Sequence, residues 1–281
     1  MPRLIIFDNK FIDEETPIIP ASNRGLRYGD GLFETIRMLN GDIKLLNRHL
    51  ERLFRGLQLL QFDIPVQFTK IFLEEEIRKL CRRNNVEKAA RIRLNIFRGN
   101  GGLFDPENLR PHYVIEATPL PDNYLRLNEN GLILDVFEDV YKGCDSIANL
   151  KTNNYLPYVL AALYVKKIRV NDCFVLNQHH RICDSTIANV FWIHGDIVHT
   201  IPLSEGCVAG VMREYLLHTM QSAGYKTRES IASVADLENA SEIFLTNAAY
   251  GIRWVKQLRK KAYSNKVISK IYNECIKTNL Q

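Results

Sequence analysis

The sequence predicts an α+β protein divided into two domains. Strand and helix signals follow one another without strict alternation, which favours α+β layers over a doubly wound parallel sheet. The run Pro119-Leu-Pro-Asp-Asn123 places two prolines and two turn formers before the middle of the chain. A length of 281 residues suits two modest domains sharing an interface, or one large domain. The break sets the domains at 1–118 and 126–281, with a linker at 119–125.

Each element follows from local pattern. Leu4–Phe7 and Phe11-Ile12, joined by Asp8-Asn9-Lys10, read as a hairpin. The glycines from Gly25 to Gly31 interrupt regular structure and lead into a strand over Leu32–Leu39. Asn40-Gly41 is a tight-turn pair that closes that strand. Leu50, Leu53, Phe54, Leu57 and Leu60 keep helical spacing within 47–60, and a second helix is expected over 68–84. Strands at 90–97 and 112–118 complete the first domain. Beyond the prolines, 132–137 reads as a strand and the apolar run 156–165 as a helix. Strands are expected at 172–176, 185–193, 197–200 and 242–246. Gly210 opens a helix reaching Met220, Ser233–Ala240 forms a short one, and the last residues form a terminal helix.

Composition excludes several classes. Hydrophobic content of 46% and charged content of 25% are ordinary for a globular protein. A net charge of +5 is mild, and Arg259-Lys-Lys261 is a short solvated run, so nucleic-acid binding has no support. No apolar run reaches membrane-spanning length, and the N-terminus lacks the features of a signal peptide. Six cysteines without a Cys-x-x-Cys pair indicate free thiols, no metal site and a cytoplasmic protein.

Chemistry concentrates in Asp184-Ser-Thr-Ile-Ala-Asn-Val-Phe191, Val198-His-Thr200 and Val208-Ala-Gly-Val-Met-Arg213. These place an acid, a buried-looking strand and a glycine-led turn into a helix in sequence. An acid can pair with a protonated pyridine, and free N–H groups at a helix start can hold a phosphate. Upstream, Lys151 in Asn149-Leu-Lys-Thr-Asn-Asn-Tyr-Leu156 supplies an amine able to form a Schiff base with pyridoxal phosphate.

At these residues the chain resembles the class IV aminotransferases, the fold-type IV pyridoxal-phosphate enzymes. The resemblance extends through Ser22-Asn-Arg-Gly-Leu-Arg-Tyr-Gly-Asp-Gly-Leu-Phe-Glu-Thr35, Leu45-Leu-Asn-Arg-His-Leu-Glu-Arg-Leu53, Arg91-Ile-Arg-Leu94 and Glu242-Ile-Phe-Leu-Thr-Asn-Ala-Ala249. It covers nearly the whole chain. It implies the two-domain fold of the D-amino-acid aminotransferase-like enzymes, with a small N-terminal domain, a larger C-terminal one, pyridoxal 5'-phosphate as cofactor, and a homodimer.

The resemblance also implies roles. Lys151 carries the cofactor and shuttles the substrate's α-proton, and Tyr155 bonds the ring hydroxyl. Asp184 faces the ring nitrogen where the family usually has Glu, one methylene longer. Arg48 grips the phosphate, while Arg52, one turn on, reads as a surface charge. Val211 and Met212 offer backbone N–H groups to the phosphate, Asn247 and Ala248 line the cofactor, and Asn189 serves backbone bonding. Tyr28, Thr35, Arg91 and Arg98 are expected on the substrate side; Arg91, Arg93 and Arg98 read equally well as a solvated strand face. Met212, Asn247-Ala248 and Phe33-Glu-Thr35 resemble the aminodeoxychorismate lyases. The expected activity is therefore a 4-amino-4-deoxychorismate lyase that acts on a small amine and yields pyruvate and 4-aminobenzoate, a folate precursor. A branched-chain or D-amino-acid aminotransferase is the alternative. A catalytically impaired homologue is a second alternative, favoured by Asp184 alone.

Overall fold

A computed structural model describes residues 3–121 and 126–280, so residues 122–125 of the expected linker lie outside the described residues. The chain divides into two units. The first comprises Met1–Tyr124 together with Leu150–Asn154, and the second comprises Leu125–Asn149 with Tyr155–Gln281. The segment carrying Lys151 thus belongs to the first unit, although in sequence it lies beyond the proline-rich break.

The first unit contains β1 (Leu4–Phe7), β2 (Lys10–Asp13), α1 (Arg24–Tyr28), β3 (Gly31–Leu39), β4 (Asp42–Lys44), α2 (Leu46–Leu59), α3 (Lys70–Arg83), β5 (Ala89–Arg98) and β6 (Pro111–Pro119). Among the described residues, six strands form one antiparallel sheet in the order β2-β1-β6-β5-β3-β4. Alternation sends Leu32, Ile36 and Met38 of β3, with Ile92, Leu94 and Ile96 of β5, to one face. There they pack with Leu50, Leu53 and Leu57 of α2 and Leu73, Ile77 and Leu80 of α3. Thr69 starts α3, its hydroxyl accepting from Phe72 N at 3.1 Å.

The glycine patch is not irregular throughout, because α1 lies inside it. Asn23 caps that helix by accepting from Leu26 N at 3.0 Å, and Gly29 ends it at φ +63°. The glycines therefore mark the stop of a short helix. Asp30, just beyond, joins three parts of the unit. It pairs with Arg24 Nε at 2.9 Å and with Arg98 Nε at 3.1 Å, while Arg98 also donates to Leu60 O and Gln61 O at the end of α2.

The second unit contains β7 (Leu132–Lys142), α4 (Leu156–Ile168), β8 (Asp172–Asn177), β9 (Ile182–Ser185), β10 (Asn189–His194), β11 (Ile197–Thr200), α5 (Val211–Ser222), β12 (Lys226–Glu229), α6 (Val234–Glu238), β13 (Glu242–Asn247), β14 (Gly251–Leu258) and β15 (Lys261–Ala262). A terminal helical stretch follows as α7 (Lys266–Ile271), a π-helical turn over Tyr272–Lys277, and α8 (Thr278–Leu280). Among the described residues, nine strands form a mixed sheet, β12-β11-β10-β13-β14-β7-β8-β9, with β15 on β14. The pairs β11/β12, β14/β7 and β7/β8 are parallel. The fold is α+β, as the sequence predicts.

One expected strand is two. The run 185–193 breaks at Thr186–Ala188, where Ser185 N donates to Ala188 O at 2.8 Å. Thr186 turns inward, and its hydroxyl donates to Asp172 Oδ1 at 2.7 Å. A side chain supplies the turn, so no glycine or proline announces it. The six cysteines are free thiols.

Replacing Asp30 by alanine leaves Arg24 and Arg98 buried without their carboxylate. A loss of about 3–5 kcal/mol is expected, read as a lower urea midpoint. An unchanged midpoint would show that both arginines re-solvate freely.

Candidate active site

Lys151 is fixed by its backbone. Phe33 N donates to Lys151 O at 2.9 Å and Asn153 N donates to Gly31 O at 3.0 Å, so the segment pairs with the start of β3. Two glycines make this approach possible. A Cβ on Gly31 would lie 2.6 Å from Asn153 Nδ2 and 2.1 Å from Ile96 O; one on Gly29 would lie 2.4 Å from Asn154 Oδ1. Asn153 Nδ2 also donates to Asn95 Oδ1 at 3.0 Å. Held this way, the Lys151 ammonium lies 4.3 Å from the Phe33 ring centre.

Phe33 points to the sheet face opposite the helices. Thr35 shares that face, opposite Arg93 on β5, and Arg37 lies opposite Arg91. The Arg93 guanidinium also sits over Phe33, at 4.0 Å. This face therefore brings Lys151, Thr35, Arg91 and Arg93 onto one surface. It adds Arg37, which sequence reasoning missed; burial pushes its guanidinium down to about 10. The alternation of Phe33, Thr35 and Arg37 carried that signal. Arg98 has other employment, since Asp30, Leu60 O and Gln61 O take its donors. Tyr28 ends α1 half-buried, with Phe104 at 5.8 Å and Arg24 over its ring at 5.0 Å.

On the helix face, Arg52 is buried and is not the surface charge expected. Its Nε donates to Glu34 Oε1 at 2.8 Å, and a second nitrogen reaches Oε2. His49 Nδ1 lies 2.7 Å from Glu34 Oε2, while its Nε2 is buried without a partner among the described residues. A neutral ring with its proton on Nδ1 fits both facts. Burial pushes the His49 imidazole below its usual range. Burial also raises Glu34, but the Arg52 charge and His49 outweigh it and bring the carboxyl down to about 2. Arg48 lies half-buried on the flank of the same helix. The spacing of Glu34 and Arg52 in separate elements gave no signal of this pairing.

In the second unit Asp184 is 2% exposed and receives four donors. Tyr158 Oη donates to Oδ2 at 2.7 Å, Val208 N at 3.0 Å and Lys142 Nζ at 3.2 Å. Asn189 Nδ2 donates to Oδ1 at 3.0 Å. Burial pushes the carboxyl up, and Lys142, Tyr158 and the Val208 N–H pull it down. Lys142 and Tyr158 were not singled out by sequence, because a lysine at a strand end and a tyrosine in an apolar helix are common. Tyr155 caps α4, half-buried, its ring 4.6 Å from that of Tyr158.

Beside Asp184, Asn189 bonds both side chain and backbone. It donates also to Val208 O at 2.8 Å, and its Oδ1 lies where a Cβ on Gly210 would come within 1.9 Å. Gly210 is the N-cap of α5 and makes no side-chain cap. Val211 and Met212 follow as its first residues, both buried, with their N–H groups at the positive end of a twelve-residue helix. Asn247 closes the turn after β13, its Oδ1 accepting from Ala249 N at 3.0 Å and Tyr250 N at 3.1 Å. Ala248 lies in that turn. Among the described residues, no group of three or more His, Cys, Asp or Glu side chains is placed to hold a metal, and no helix is long and apolar enough to cross a membrane.

Residues 31–258 match the amino-transferase class IV family. The chain belongs to the class IV aminotransferase family. It is 30% identical over 271 residues to a Methanocaldococcus jannaschii protein provisionally named a branched-chain-amino-acid aminotransferase, covering 95% of this chain and 92% of that one. It is also 30% identical over 236 residues to the aminodeoxychorismate lyase of Vibrio harveyi, covering 83% and 85%. Among solved structures, the branched-chain aminotransferase of Thermoproteus uzoniensis with norvaline superposes with a TM-score of 0.86 at 23% identity, covering 96% and 92%. The class IV protein is thus a pyridoxal-phosphate enzyme. Its residues fit that cofactor: a helix start kept clear by Gly210 suits a phosphate, and a buried carboxylate suits a basic ring nitrogen.

Gly210→Ala drives a Cβ into Asn189, so this variant is expected to retain less cofactor after gel filtration and to melt lower. Retention and melting equal to wild type would remove Asn189 from the site. Glu34 gives a pH test. Its folded value of about 2 lies below the unfolded 4.5, so its contribution is full above pH 4.5 and is lost as pH falls towards 2. The stability gap between wild type and Glu34→Gln should therefore narrow over that window in acid denaturation. A gap that stays constant would mean that the carboxylate gains nothing from Arg52.

Proposed function

We propose that this enzyme is a 4-amino-4-deoxychorismate lyase that releases 4-aminobenzoate and pyruvate. The carrying observation is that Met212 and Ala248 lack the side-chain hydroxyls that branched-chain members of the family often place there. Met212 fills the second position of α5, and Ala248 follows Asn247, whose Oδ1 accepts from its own turn and whose Nδ2 donates to Ile187 O at 3.2 Å. The similarity to the Vibrio harveyi lyase supports the same reading.

The bound cofactor supplies an aldehyde for the substrate amine and a ring that spreads negative charge from the α-carbon. The chain's own residues do the rest. Lys151 provides the amine that holds the aldehyde until substrate takes its place, and the freed amine then removes the α-proton. The C–O bond to the enolpyruvyl group breaks, and the Lys151 ammonium returns a proton to the departing pyruvate enol. Asp184 holds the ring-nitrogen end through its carboxylate, and the N–H groups of Val211 and Met212 hold the phosphate end. Arg48 is proposed to share the phosphate charge, with Tyr155 on the ring hydroxyl. Thr35, Arg91 and Arg93, on the face that carries Lys151, are proposed to receive substrate carboxylates, with Tyr28 nearby in sequence.

An amino-acid aminotransferase is the second reading, favoured by the similarity to the Methanocaldococcus jannaschii protein. It uses the same residues up to α-proton removal. A cytoplasmic homodimer is part of the proposal, as an isologous pair.

The deciding experiment incubates the holoenzyme with aminodeoxychorismate and, separately, with branched-chain and D-amino acids plus 2-oxoglutarate. Formation of 4-aminobenzoate and pyruvate is expected, and amino-group transfer alone would select the second reading. Lys151→Ala should abolish turnover and the adduct trapped by borohydride. Pyridoxyl found on another lysine would reassign the catalytic amine.

A further inference from the structure

Lys142 reaches Asp184 through an irregularity in the sheet. Along β7, Phe137 pairs with Val175 and the next registered residue, Lys142, pairs with Asn177. Five steps on β7 thus match two on β8, so the strand bulges out and returns with Lys142 at its end. Its side chain is 12% exposed and its ammonium lies 3.2 Å from Asp184 Oδ2. The same ammonium is 5.3 Å from the Tyr158 ring centre.

The donors are distributed unequally. Among the described residues, Oδ2 takes Lys142, Tyr158 and Val208 N, whereas Oδ1 takes Asn189 alone. An ionised carboxylate has about four acceptor positions, two per oxygen. Oδ2 is filled, and Oδ1 keeps capacity for one more donor.

We propose that Lys142 is a positioning residue that fixes Asp184 with Oδ1 left as the acceptor and weakens its hold on the proton of the cofactor's ring nitrogen. The inference rests on the reading that Asp184 serves that nitrogen. A cation on one oxygen of a carboxylate withdraws charge from the other, so the carboxylate stabilises a second cation less. Among the described residues, Arg213 of α5 is paired with Glu229, and Tyr158 and the cysteines around Asp184 carry no charge. Burial pushes Tyr158 on α4, Cys183 beside Asp184 on β9, and Cys207 in the loop before α5 above their usual ranges, so all three stay neutral. Lys142 is then the cation that sets the carboxylate's strength. A merely structural ion pair would hold the strands together and leave the ring nitrogen indifferent to it.

The test uses holoenzyme loaded with pyridoxal phosphate carrying 15N in the ring. The nitrogen resonance reports ring protonation directly and is followed against pH in wild type, Lys142→Met, Lys142→Arg and Asp184→Asn. Lys142→Met is expected to move the ring titration upward by about 1 pH unit or more. Lys142→Arg keeps the charge and should titrate like wild type, which also guards against a folding defect in the methionine variant. If Lys142→Met and Lys142→Arg titrate alike while Asp184→Asn lowers the midpoint, the proposal for Lys142 falls and the role of Asp184 stands. If Asp184→Asn also leaves the midpoint unchanged, the assignment of Asp184 to the ring nitrogen is itself overturned.

Discussion

A carboxylate taken out of water must be met by donors, and in this protein two such groups organise the two units. Asp184 draws on β7 through Lys142, on α4 through Tyr158, on β10 through Asn189 and on the loop before α5 through Val208 N. No single element could supply all four. The strand that carries the acid is therefore locked to the strand, helix and loop that surround it, and these include the residues leading into α5. Removing any donor leaves buried charge less compensated, which costs more than the donor's own bond contributes. Polar satisfaction and site geometry are here the same requirement.

Glu34 plays the corresponding part in the first unit, clamped by Arg52 and His49 from α2 on the helix side of the sheet. Lys151 is held on the other side by a different device. No regular element carries it. Its backbone pairs with β3, and small residues opposite it remove the atoms that would keep the segment away. Preorganisation of this kind fixes the backbone from which the ammonium extends.

The sequence made much of this legible. Apolar alternation marked β3, β5 and β6, and helical spacing marked α2, because each buries one continuous stripe. The polar strand β12 and the mixed strand β14 went unrecognised, since Lys226–Glu229 is an edge and Arg253, Lys256 and Gln257 blur the pattern of the other. Lys151 and Asp184 stood out through the company of their neighbours in sequence. Arg52 and Lys142 did not, because what distinguishes them is a partner far away in the chain. Long-range pairing between a buried acid and a base has no local period, and Arg52 in particular shares its spacing with an ordinary exposed helix arginine.

The return of Leu150–Asn154 to the first unit has a consequence for how the molecule is made. On the ribosome, β3 emerges early, yet the segment that pairs with its first residues follows only after Leu125–Asn149 of the second unit has been synthesised. The nascent first unit must therefore wait without the segment that pairs with the start of β3 while Leu125–Asn149 passes out of the exit tunnel. At ordinary elongation rates of about 5–20 residues per second this interval lasts on the order of seconds. Vectorial folding would thus deliver the sheet first and the Lys151 segment last, so that no truncated product released before that point carries Lys151.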